Sequence, residues 1–221
     1  MAITIQSYFA ALRDYLNTDG YEVTEVEGDK IVISDEVYWP ESKTPREQKV
    51  KLVVPGDAIV INLDTKFTKE GKRSTSGKGS SLPFFHFLQD ESKPWAKRCD
   101  FVIFHLHRNQ IAAICIEFKS ASFPESLPDQ MNAGAAWCRS LHSVIKHYTG
   151  KVKRMRISKF VLSCHPTPER FLNADGKYLK KDHTIRHYHY NDIDGLSLED
   201  LENTHVETLL SKTGQNCSVV C

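Results

Sequence analysis

Two rhythms of hydrophobic residues run along the chain, and the switches between them mark out its elements. Ile5, Phe9, Leu12 and Leu16 recur at helical spacing, which predicts a helix over Thr4–Asn17 that stops before Gly20. Alternation follows. Tyr21–Val26 and Lys30–Tyr38 read as one hairpin turning at Glu27–Asp29, and Gln48–Val54 and Ala58–Asp64 as a second, turning at Pro55–Gly56–Asp57. Thr65–Ser81, TKFTKEGKRSTSGKGSS, has no apolar anchor after Phe67 and reads as a flexible basic loop. Pro83–Ser92 suits one or two helical turns with Phe84, Phe87 and Leu88 inward. Next come two strongly apolar runs, Asp100–His107 and Ile111–Lys119, joined by a tight turn at Arg108–Asn109. Both are apolar on both faces, the signature of strands buried on two sides.

A long helix is predicted over Pro128–Tyr148, with Ala133, Trp137, Leu141, Val144 and Tyr148 as its apolar stripe, Pro128 at its start and Gly150 as its stop. Ile157–Cys164 is the next apolar strand. Strand, helix and strand of these lengths imply a parallel pair with a crossover. Thr184–Asn191 alternates as a half-exposed strand. Ser197, with Asp200 three residues on, opens a final helix to Leu210. The residues from 212 onward read as a disordered tail.

Charge interrupts the central hairpin only at its outer end, at Asp100, Glu117 and Lys119. If His107 pairs with Gln110 across the turn, each further step pairs the next residues outward, and Asp100 arrives opposite Glu117. Opposed side chains share a face, with Cβ atoms roughly 4.5–5.5 Å apart, and Lys119 shares that face because strand side chains alternate. Opposed like charges are destabilising unless something positive lies between them. A divalent cation meets that need, since Mg²⁺ takes carboxylate oxygens and keeps several waters. The alternative is a solvated strand end with a surface Glu–Lys pair, and a register slip of one residue would put the acids on opposite faces.

The pattern Cys99–Asp100, sixteen residues, then Glu117–Phe118–Lys119 resembles the signature of the PD-(D/E)xK nuclease superfamily. Cys99 stands where the name of the motif has proline. The resemblance covers residues 99–119 closely and about 85–165 as an architecture. It implies an α/β (α+β) fold with a restriction-endonuclease-like αβββαβ core and mixed central sheet, carrying an amino-terminal β-rich extension. It implies Asp100 and Glu117 as metal ligands, with the backbone carbonyl of Phe118 as a third and Mg²⁺ or Mn²⁺ as the cofactor. Lys119 would orient or help deprotonate the attacking water and stabilise charge on the phosphate. Members often draw a further residue from an upstream element, for which His86, Asp90 and Glu91 are candidates and Glu91 the preferred one. One branch places a glutamine of the following helix at the site, which points to Gln130. The expected activity is phosphodiester hydrolysis in DNA, of a restriction, phage-defence or repair kind, with a homodimer or partner subunit suited to double-strand cleavage. A nuclease-fold binding module without activity, and a metal-dependent nucleotide phosphohydrolase, are the rival readings.

Division of the chain follows from the same pattern: 1–66 as an amino-terminal helix and strands packing on or extending the core, 67–82 as the basic loop, 83–211 as the nuclease-like core and 212–221 as the tail. Composition adds little. The 221 residues are 40% hydrophobic and 26% charged, with a formal net charge of +1, so a nucleic-acid partner must be held by local patches rather than by bulk basicity. The candidates are Lys72, Arg73 and Lys78 in the loop and Lys151, Lys153 and Arg154 before the later strand. Gly71–Gly77 fails the phosphate-loop spacing by one residue, and Gly79 stands where Ser or Thr is required. Six cysteines without paired ligand spacing suit a reducing compartment, with Cys99, Cys115 and Cys164 expected as buried thiols. No run is long enough for a membrane helix and the amino terminus lacks a signal pattern, so the expected location is the cytosol. His183, His187 and His189 read as surface or packing residues.

Overall fold

A computed structural model describes residues 4–16, 18–21, 26–27, 29–38, 44–54, 56–74, 78–83, 93–107, 110–120, 122–149 and 154–201. The fold is mixed α/β, built on a five-stranded sheet in the order β4–β5–β6–β7–β8. Its strands are β4 (Ala58–Asn62), β5 (Phe101–His107), β6 (Gln110–Lys119), β7 (Met155–Ser163) and β8 (Ile185–His189). β4, β5 and β6 are antiparallel neighbours, whereas β6–β7 and β7–β8 are parallel. A second sheet, β1–β2–β3, is antiparallel throughout, with β1 (Val26–Glu27), β2 (Lys30–Val37) and β3 (Arg46–Val53).

Alternation sorts the side chains of the larger sheet into two cores. On one face Ile59, Ile61, Val102, Phe104, Ala113, Cys115 and Val161 pack against α1 (Ile5–Tyr15) and α3 (Leu127–Thr149). On the other, Val60, Phe101, Ile103, Ile114, Ile116, Phe118, Phe160 and Leu162 meet Ile33, Val37, Val50 and Leu52 of the second sheet, together with Tyr190 and Ile193 of α4 (Tyr190–Ile193). Each fully buried side chain of this size contributes about 1.5–3 kcal/mol of transfer free energy. Thr4 caps α1 by accepting the Ser7 N–H at 3.1 Å. Residues 194–197 lie along the outer edge of β3, with Gly195 N–H on the Lys51 carbonyl at 2.7 Å and Val53 N–H on the Leu196 carbonyl at 2.9 Å. That covers an otherwise open sheet edge. Among the described residues no helix is long and apolar enough to cross a membrane.

Two expectations need correction. The strands on either side of Pro55–Gly56–Asp57 do not form a hairpin: β3 pairs with β2, while β4 pairs with β5 in the other sheet. The burial patterns explain why. Ile59, Val60 and Ile61 are all buried and need cover on two faces, whereas β3 buries only Val50 and Leu52. Tyr21 ends a four-residue helix, α2 (Thr18–Tyr21), instead of opening a strand, and its ring lies 5.0 Å from that of Phe67. Of the basic segment, the described residues 67–74 and 78–81 include several held by backbone hydrogen bonds. Phe67 is buried and exchanges backbone hydrogen bonds with Ser80, at 2.9 and 3.2 Å, while Thr68 N–H bonds the Lys72 carbonyl at 2.8 Å. Gly79 permits this, since its φ is +142° and a Cβ there would lie 2.3 Å from the Phe67 carbonyl oxygen. The helical turns expected over Pro83–Ser92, most of the last helix and the tail fall largely or wholly outside the described residues, although residues 198–201 are helical.

Close packing of α3 on the strands depends on Gly134, where a Cβ would meet Cys99 Sγ at 2.4 Å. Gly134→Ala is expected to lower stability in urea denaturation, because overpacking costs about 1–3 kcal/mol against roughly 1 kcal/mol of helix propensity gained. In a Cys99→Ala background the same substitution should become stabilising. A stabilising Gly134→Ala in the wild-type background would contradict this packing.

Candidate active site

The β5–β6 ladder runs from His107↔Gln110 to Phe101↔Ile116, which is the register the tight turn demands. β5 ends there, but β6 continues to Lys119 along β7, pairing Glu117 with Val161 and Lys119 with Ser163. Where the strands part, side chains take over the backbone hydrogen bonds. Phe118 N–H donates to Asp100 Oδ2 at 2.7 Å, and Asp100 N–H donates to Glu117 Oε2 at 3.2 Å. The Asp100 carbonyl accepts the Leu63 N–H at 2.8 Å. Lys119 Nζ donates to Glu117 Oε1, and the Tyr190 hydroxyl donates to the Lys119 carbonyl at 2.9 Å. Phe118 itself is wedged between Phe101 and Tyr190, with ring centroids 5.7 and 5.6 Å away. The three residues singled out in the sequence are thus brought together, with the Glu117 side chain 1% exposed and that of Lys119 20% exposed.

Asp35 joins them electrostatically from the second sheet. It stands between Ile33 and Val37, both buried, on the β2 face turned toward the larger sheet. Burial, the charge of Glu117 and the charge of Asp35 push the Asp100 carboxyl well above the usual range. Burial also raises Glu117, against the opposing pull of Lys119 and the Asp100 N–H. Asp35 is raised by burial and by Asp64. For Lys119, burial works against the charged form, but Glu117 and Asp100 together outweigh it and hold the ammonium above its ordinary value. Three carboxylates thus face one amine. Asp64, at the end of β4, binds Lys66 Nζ at 2.7 Å and Ser81 Oγ at 3.1 Å, so the root of the basic segment lies beside this charge cluster. Nothing in the alternation of β2 distinguishes Asp35 as a site residue, because its neighbours come from another layer.

The carboxylate oxygens of Asp100 and Glu117 are the donor type that suits a hard divalent cation. Among the described residues no three or more His, Cys, Asp or Glu side chains form a ready ligand set. The oxygens of Asp100 and Glu117 are the ones that could hold such an ion, with waters completing the shell, a mode usual for Mg²⁺; the Phe118 carbonyl is added as a ligand by the resemblance alone. The excess of negative charge is the feature that a cation would relieve.

The remaining candidates scatter. Gln130 lies in the first turn of α3, whose Asp129 binds Lys97 Nζ at 2.7 Å, but its own amide oxygen is buried without a hydrogen-bond partner, so no bond from that atom ties it to the cluster. Glu91, His86 and Asp90 lie outside the described residues, as do Lys151 and Lys153. Lys72, Arg73 and Lys78 are exposed. Arg154 lies far from the acids along β6. Its carbonyl accepts the Ile111 N–H at 3.1 Å, at the opposite end of β6 from Lys119, which is about 25 Å away at ~3.3 Å per residue. His187 is a packing residue whose Nε2 lies 2.8 Å from Ser163 Oγ, and His189 caps α4. Of the expected buried thiols, Cys99 and Cys115 are fully buried and Cys164 is partly exposed.

Comparison with protein-family models, with curated proteins and with solved structures gives no match.

Raised carboxyl pKa values carry a definite sign. The folded state holds these protons more tightly than the unfolded chain, so the cluster's contribution is complete below the ordinary carboxylate range of about 4 and is lost as pH rises through the folded-state values. In metal-free buffer, Asp100→Asn keeps an oxygen for the Phe118 N–H but removes the charge. It should raise Tm at pH 8 by a few degrees, about 2–4 °C per kcal/mol regained, and flatten the decline between acidic and neutral pH. A lower Tm at pH 8 would show that Asp35 and Glu117 do not strain Asp100.

Proposed function

We propose that the chain is a metal-dependent nuclease of the PD-(D/E)xK kind, hydrolysing phosphodiester bonds in DNA. The observation that carries this reading is the reciprocal hydrogen bonding of Asp100 and Glu117, each carboxylate accepting a backbone N–H from the other's segment, with Lys119 bonded to Glu117. Part of the element order supports it: with α2 and β1–β3 set aside, α1, the antiparallel β4, β5 and β6, α3 and the parallel β7 follow one another in the αβββαβ order that the motif implies.

Bound at Asp100, Glu117 and the Phe118 carbonyl, Mg²⁺ or Mn²⁺ would polarise the phosphoryl oxygen and lower the pKa of a bound water. The chain's own groups do the rest. Lys119, bonded to Glu117, would donate to the phosphate as negative charge accumulates there. Asp35 and Glu117 keep the charge of Lys119 in place. Tyr190 and Asp100 fix the backbone on either side of Phe118, so the amine and carboxylates keep one geometry. One such site cuts one strand, and a double-strand break would call for two chains.

Asp100→Ala and Glu117→Ala are expected to abolish plasmid cleavage in Mg²⁺ while the far-ultraviolet circular dichroism stays native, and Lys119→Ala should lower the rate by about 10²–10³-fold. Cleavage by all three variants at the wild-type rate would remove the site. A wild-type chain that binds DNA but cuts no plasmid, single strand or mononucleotide in Mg²⁺ or Mn²⁺ would leave a binding module instead.

A further inference from the structure

A second feature lies along the same strand ends. The connection from β6 to α3 and the segment 170–181 enclose a cavity of about 320 Å³, lined by Phe123, Leu127, Phe171, Arg170, Lys180 and Lys181. Pockets of a few hundred Å³ suit a small-molecule fragment or one nucleotide. Phe123 and Phe171 meet edge to face, with centroids 5.0 Å apart. Three cations stand at the wall against one acid, Glu125, whose carboxylate meets Lys181 Nζ at 3.0 Å. That pair is largely solvated, with side chains 58% and 95% exposed, so its hold on Lys181 is weak.

The cavity connects to the acid cluster through packed groups. Phe123 lies 5.5 Å, ring to ring, from His187, which bonds Ser163, and Ser163 is the cross-strand partner of Lys119. Burial and the neighbouring His189 lower the His187 pKa to about 4, so the ring between them carries no charge at neutral pH.

We propose that this cavity receives one unstacked nucleobase of the substrate strand, with the phosphate of that nucleotide on Arg170 and Lys181. Paired aromatic rings with adjoining cations are the combination that single-stranded nucleic acid requires, because the base offers a π-face and the backbone a charge. A purely apolar ligand would have no use for three cations, and a simple anion none for the rings. A base still paired in a duplex cannot enter, so the site favours single strands or frayed ends over intact duplex. This rests on the nuclease reading and adds to it a preference for the state of the strand.

Fluorescence anisotropy with a short labelled single-stranded DNA and its duplex tests the assignment, using the full chain carrying Asp100→Asn so that nothing is cut. Phe171→Ala is expected to weaken single-strand binding about tenfold and duplex binding little, and Phe171→Trp should restore it. Arg170 is exposed, so Arg170→Gln leaves the fold intact; it should weaken binding and lower the slope of log affinity against log salt by about one. Wild-type single-strand affinity in both Phe171→Ala and Arg170→Gln overturns the base pocket, even where Asp100→Ala and Glu117→Ala abolish cleavage. Undiminished cleavage in those two acid variants overturns the nuclease reading, whatever Phe171 does.

Discussion

The point on which the site turns is the place where β5 stops and β6 does not. A strand end of this kind leaves backbone amides without ladder partners, and buried amides must find acceptors. Here the acceptors are carboxylates: Asp100 takes the Phe118 N–H and Glu117 takes the Asp100 N–H. Each acid therefore holds the backbone of the other's strand, and the two are drawn together by main-chain chemistry before any ligand is considered. A slip of one residue in the β5–β6 ladder would turn the whole apolar pattern over and separate them, so the two hydrophobic cores enforce the geometry of the acids.

Charge is the counterweight to that backbone logic. Asp100, Glu117 and Asp35 face a single ammonium in a part of the molecule where burial makes every unbalanced charge costly. Proton uptake is one relief and cation binding the other, and the two compete for the same oxygens. A purely structural cap would be served as well by Asn and Gln, which accept the same N–H groups without the repulsion. That repulsion is what the proposed cation would relieve.

Much of this was legible in the sequence, for reasons that can be named. The turn read at Arg108–Asn109 gives the register in which His107 pairs with Gln110, and two-sided apolar runs mark the central strands, so the nearness of Asp100 and Glu117 follows by counting. The helix after Lys119 and its parallel return strand follow from length and spacing. Asp35 was not legible, because its partners reach it through contact between two sheets rather than along a strand. The separation of β3 from β4 was missed because a Pro–Gly–Asp link signals a turn but not which sheet the chain enters next. Phe67 shows that a buried ring and a glycine at positive φ can give hydrogen-bonded backbone to part of a segment whose composition suggests a loose loop. Arg154 lies far from Lys119, since a strand parallel to β6 begins beside the start of β6.

Electron paramagnetic resonance titration with Mn²⁺ addresses the central claim most directly, because it counts bound ions without requiring a substrate. One ion should bind per chain, and Asp100→Asn or Glu117→Gln should each abolish that binding while leaving the folded circular dichroism spectrum unchanged. Failure of the wild-type chain to bind Mn²⁺ at millimolar concentration, or equal binding once both carboxylates are neutralised, would contradict a cation held between these two acids.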